Sequence, residues 1–78
     1  MHLKDSMLKY EDDFRKFGLR IKYFRQKKSM EQVDFADKVG ISPQYLSKIE
    51  CAHVSINMEL FFRIAECLEI DKIELLRD

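Results

Sequence analysis

Residues 32–50, QVDFADKVGISPQYLSKIE, read as a helix, a sharp turn and a second helix. Phe35, Ala36 and Val39 fall on one face of the first helix, because positions three and four apart lie together on a 3.6-residue repeat. Gly40 ends that helix, since glycine takes the positive φ of a tight turn without a Cβ penalty. Ile41 then plugs the angle between the helices. Ser42 stands where a cap is needed, and Pro43 at the first helical position, where a missing N–H costs nothing. Counting from Pro43, Leu46 and Ile49 turn inward, while Pro43, Gln44, Ser47 and Lys48 turn outward. Tyr45 lies at the margin, with half-buried packing and a phosphate contact through its hydroxyl as alternative uses. A helix apolar on one side and bearing short polar and basic groups on the other is suited to a DNA major groove.

Working outward toward the N-terminus, Phe14, Phe17, Ile21 and Phe24 recur at spacings of three and four and predict a helix with an aromatic-rich core face. Lys16, Arg20, Lys22, Arg25 and Lys27 occupy its other side. Gly18 inside this helix costs about 1 kcal/mol relative to Ala and suggests close approach of another backbone. The helix is expected to end at Lys27 or Lys28, where basic residues meet the negative end of the helix dipole. Ser29-Met30-Glu31-Gln32 has the S-x-x-Q form of a capping box, with Ser29 as cap and Gln32 reaching back. A rival use of the Gln32 amide is to bond a phosphate or to brace the second helix of the pair. Residues 1–13, mixed in charge and weakly periodic, are read as an N-terminal extension, and residues 14–78 as the domain.

Toward the C-terminus, Asn57 is expected to cap a helix whose apolar face is Leu60, Phe61, Ile64, Ala65 and Leu68, leaving Phe62 partly exposed. Asp71 and Glu74 frame a last short helix carrying Ile73, Leu75 and Leu76. Those three aliphatics exceed what one face of so short an element buries, so Phe62, Ile73, Leu75 and Leu76 are assigned to a homodimer surface. Ordinary docking on the domain core is the other reading.

A chain of 78 residues holds one core, since it buries only about 60% of its unfolded surface. Hydrophobic residues at 46%, with only 2 Gly and 1 Pro, favour an all-α bundle over a turn-rich β architecture. No apolar run approaches the roughly 18 residues that span a bilayer, and the N-terminus lacks an apolar signal core, so no membrane association and a cytoplasmic location are expected. Cys51 and Cys67 form no CxxC pair and have no organised ligands beside them, so neither a metal nor a cofactor is expected. The formal net charge is zero, yet residues 15–48 carry nine basic groups against three acidic ones, and residues 49–78 carry seven acidic against three basic. That polarity fits a chain with one anion-facing region.

Residues 17–76 resemble the phage-repressor and Cro type of helix-turn-helix regulator, often called the Xre family. The frame is GLRIKYFR, then EQVDFADKVGISPQYLSKIE, then LFFRIAECLEI. Within it Gln32, Phe35, Ala36, Gly40, Ile41, Ser42, Leu46, Ser47, Ile49 and Glu50 stand at the family spacing. The resemblance implies a compact five-helix bundle of the lambda-repressor-like class. Its third helix would enter the major groove, and the chain would act as a dimer on a palindromic operator in double-stranded DNA. It also implies an ion pair between Arg25 and Glu50, which would fix the reading helix against the first helix while Arg25 shares a donor with a DNA phosphate. The chain departs from the family pattern at Ala52, where Gly is common, and at Glu31, where Ser, Thr or Asn is common. Ile56 replaces a frequent Pro, and Cys51 a frequent polar or basic residue.

These readings converge on a sequence-specific, DNA-binding transcriptional regulator, expected to repress by occluding a promoter. Gln44 can pair with adenine and Lys48 can donate to guanine, with Pro43 and Ser47 beside them at the base edges. Gln32, Ser42, Tyr45, Lys28, Arg25 and His53 are the expected phosphate contacts. The alternative is a protein-interaction module, such as an antitoxin or anti-repressor, favoured by the zero net charge, Glu31, Phe62 and the acidic, leucine-rich end. An enzyme is not expected, because no nucleophile has a base near it in sequence and no Gly-rich phosphate loop is present.

Overall fold

The computed structural model describes residues 10–77. Within them α1 spans Glu11–Lys27, α2 Gln32–Val39, α3 Pro43–Glu50 and α4 Met58–Leu68, followed by a 3-10 turn at Lys72–Leu75. Among the described residues the bundle therefore has four α-helices, where five helices were expected for the chain. Its fifth element is only four residues long, begun by Asp71, whose carboxylate accepts from Ile73 N at 3.0 Å. So short a run favours i→i+3 bonding over an α-helical ladder. The first helix begins at Glu11, ahead of the aromatic stripe, because Glu11, Asp12 and Asp13 place three carboxylates at the positive end of its dipole. The other residues of the expected extension, 1–9, lie outside the described residues.

The core is built from Ile21 of α1, Phe35, Ala36 and Val39 of α2, Leu46 and Ile49 of α3, and Leu60, Phe61, Ile64, Ala65 and Leu68 of α4. Leu75 closes it from the 3-10 turn and is only 1% exposed. This removes Leu75 from the expected dimer surface, because a side chain spent on the chain's own core has no area left for a second copy. Phe17 packs against this core only partly, its ring 5.6 Å from that of Phe61.

The capping box at Ser29 is not formed. Ser29 has φ 57° and belongs to the end of α1, where its N–H donates to Gln26 O at 2.9 Å and Met30 N–H donates to Arg25 O at 3.1 Å. Those paired bonds satisfy the last carbonyls of a helix and require a left-handed residue at position 29. The start of α2 is thereby displaced to Glu31, which makes no side-chain cap bond. The other α-helices finish in the same way, at Gly40 (φ 91°), Ala52 (φ 62°) and Glu69 (φ 57°). At Ala52 the left-handed backbone persists without glycine, secured by Ala52 N to Ile49 O at 3.1 Å and His53 N to Lys48 O at 2.8 Å.

Candidate nucleic-acid interface

The second helix of the pair starts where its sequence marks it. Ser42 Oγ accepts from Tyr45 N at 3.0 Å, and Pro43 fills the first helical position. Leu46, Ile49 and Glu50 are buried, which leaves Gln44 and Lys48 exposed along one side of α3. Cys51, one helical step further along the same side, is exposed too and completes the row. Sequence reasoning assigned Cys51 no place on this face, although its spacing of seven from Gln44 is the signal that places it there. Pro43 and Ser47 are half-buried at the margins of the row. The row thus presents an amide that both donates and accepts, an ammonium and a thiol.

The far end of α3 is held by one buried carboxylate. Arg25 and Glu50 are each 5% exposed. Arg25 Nε donates to Glu50 Oε2 at 2.7 Å and Nη2 to Oε1 at 3.2 Å, while Gln32 Nε2 donates to Oε1 at 2.9 Å. Arg25 Nη1 donates to Met30 O at 2.7 Å. The end of α3, the start of α2 and the loop before it are thus tied to α1 through one guanidinium. Gln32 takes the bracing role among its alternatives, because the end of α1 has claimed Ser29. Burial also withdraws Arg25 from phosphate, so its assignment as a phosphate contact is corrected to that of an internal tie.

Beneath the tie the helices meet backbone to backbone. A Cβ on Gly18 would stand 2.6 Å from Ile49 O and 2.7 Å from Glu50 O, closer than carbon and oxygen approach without displacement. Gly18 is therefore the residue that lets α1 lie against the end of α3. Around the same place Lys22 is exposed in a notch whose other walls include Gln32, Glu50 and Cys51.

The remaining expected phosphate contacts are dispersed. Ser42 and His53 are exposed, one at the start of α3 and one in the loop beyond it, and Tyr45 packs half-buried against the core. Lys28 Nζ lies 3.3 Å from Glu69 Oε2, directed toward the end of α4. Of the expected dimer residues, Phe62, Ile73 and Leu76 are 46%, 59% and 68% exposed. Leu76 lines an apolar groove with Tyr10, Phe14 and Met58, whereas Phe62 lies in a separate, mixed depression with Ala65, Ile70 and the charged Glu66, Asp71 and Lys72. Among the described residues no helix is long and apolar enough to cross a membrane.

A family model described as helix-turn-helix matches residues 21–75. No curated protein sequence matches the chain. Among solved structures, the restriction-modification controller protein C.AhdI from Aeromonas hydrophila superposes with a TM-score of 0.80 at 26% identity, covering 85% of this chain and 96% of its own. The clp gene regulator ClgR from Corynebacterium glutamicum superposes with a TM-score of 0.76 at 24% identity, covering 80% of each chain, a likeness of fold.

Proposed function

The chain belongs to the helix-turn-helix family, whose model spans residues 21–75, and from that membership we propose a DNA-binding transcriptional regulator that reads the major groove with α3. The observation that carries the reading is the exposed row Gln44, Lys48 and Cys51 on a helix whose inner side and far end are immobilised in the core. Gln44 matches the paired donor and acceptor of adenine, and Lys48 the acceptors of guanine. Pro43 and Ser47 border these contacts. Ser42, Tyr45 and His53 stand near the ends of α3, the places from which such a domain reaches phosphates. The likeness to a restriction-modification controller at 26% identity supports a role in transcription control.

On this reading the chain works in the cytoplasm as a homodimer on a palindromic operator, represses by occupying a promoter, and is not an enzyme. The exposed Leu76 and Ile73 support the dimer, since large aliphatics at such exposure lower their free energy by meeting a second apolar surface. A second reading, a module for a partner protein such as an antitoxin, is favoured by one observation: Phe62 opens on a groove edged by Glu66, Asp71 and Lys72, away from the reading row.

The test is to select duplexes from a randomised library with the wild-type chain, then measure affinity by fluorescence anisotropy. Gln44→Ala is expected to lose about 1–3 kcal/mol on the selected duplex and to relax one base position. Equal losses on selected and scrambled duplexes would contradict the base-reading role.

A further inference from the structure

The last four carbonyl groups of an α-helix have no partner within it. At the end of α2 two are met locally: Gly40 N donates to Ala36 O at 2.9 Å and Asp37 O at 3.2 Å, and Ile41 N donates to Ala36 O at 3.0 Å. The other two are met from α4. Arg63 Nη1 donates to Val39 O at 3.0 Å, and Cys67 Sγ lies 3.6 Å from Lys38 O as its donor. Arg63 and Cys67 are four residues apart, so one face of α4 supplies both.

The guanidinium has a second partner on its own helix. Its Nη2 donates to Glu59 Oε1 at 2.9 Å, one turn back along α4. It also bounds the turn, since a Cβ on Gly40 would stand 3.3 Å from Nη1. A cation at this place meets the negative end of the α2 dipole. Burial raises the Cys67 thiol above its ordinary pKa, the effect outweighing the nearby Lys38, so the sulfur keeps the proton it donates.

The two ends of α3 are consequently held by different means. Its far end is tied through Glu50 to Arg25 and Gln32. Its near end, which carries Gln44, follows the turn at residues 40–42, and the residue that clasps that turn from outside the helix pair is Arg63. We propose that Arg63 is a positioning residue for DNA recognition: by holding Val39 O it sets the angle at which the start of α3 meets the base edges. The inference rests on the reading of α3 as the DNA-reading helix.

Arg63→Met keeps the apolar stem and removes the guanidinium. Its binding to a duplex selected by the wild-type chain is expected to weaken about tenfold, the scale of one mispositioned base contact. Binding to a scrambled duplex is expected to change less than about twofold, as for loss of one remote charge. Arg63→Lys, which restores a charged donor, is expected to recover most of the loss. Amide hydrogen exchange is expected to quicken at Tyr45 and Leu46 and to stay unchanged at Ile49 and Glu50. If Arg63→Met does not fold, Glu59→Gln, which loosens the guanidinium without removing it, is expected to give the same pattern at smaller size.

Equal weakening on both duplexes, undiminished binding to the selected one, or exchange that quickens evenly along α3 would overturn the proposal. A wild-type chain that selects no duplex would instead overturn the reading of α3, and the exchange pattern would still decide whether Arg63 governs the start of that helix.

Discussion

At the scale of single residues, Glu50 is the side chain on which most depends, because one carboxylate accepts from Arg25 twice and from Gln32 once. Glu50→Gln leaves the guanidinium buried without its counter-charge and turns an amide N–H toward that guanidinium, which only donates. Breaking one side of a buried pair costs about 3 kcal/mol or more, a large share of the roughly 5–15 kcal/mol that stabilise a small domain. The expected outcome is a lower urea midpoint together with weaker binding to the selected duplex. Unchanged values of both would rule the pair out as important. The pairing of positions 25 and 50 was legible in the sequence through its family frame. The use of Gln32 was not, since Ser29 suits both a helix cap and a left-handed helix end, and only the backbone bonds of Ser29 and Met30 decide between them.

At the scale of elements, the decisive junction is α1 against the end of α3. Gly18→Ala would gain about 1 kcal/mol of helix propensity. Its methyl group would meet two backbone oxygens at 2.6 and 2.7 Å, and backbone yields less readily than a side chain. Overpacking of this kind costs about 1–3 kcal/mol, so net destabilisation is expected, read as a lower Tm with a loss of DNA affinity as α3 is pushed outward. A raised Tm would show that the junction has room. The close approach at Gly18 was legible from a glycine inside an otherwise regular helix. The depth of the aromatic stripe was not: of its four residues only Ile21 is fully buried, because α1, at 17 residues, is longer than the core it crosses.

At the scale of the whole molecule, the open question is what meets the apolar groove that Leu76 lines with Tyr10, Phe14 and Met58. On the proposed dimer, Leu76→Glu is expected to change the stability of the chain by no more than about 0.5 kcal/mol, since the side chain is already exposed, and to shift sedimentation velocity toward the monomer. Sedimentation identical to the wild type would remove Leu76 from the dimer surface. The sequence marked three aliphatics near its end but not which faced inward. Leu75 and Leu76 are neighbours of equal hydrophobicity, and their separation into core and surface follows from the 3-10 geometry of the turn before them.

The Arg25–Glu50 tie has one more consequence, because it is closed to solvent. Dissolved ions weaken attractions between charges they can surround, and reach a buried pair far less. The DNA backbone, by contrast, sheds bound counterions as the protein neutralises its phosphates. Raising the ionic strength therefore acts on the encounter with DNA and leaves the far end of the reading helix in place. The slope of binding against salt concentration then counts phosphates and carries no contribution from a loosening of α3 at its Glu50 end.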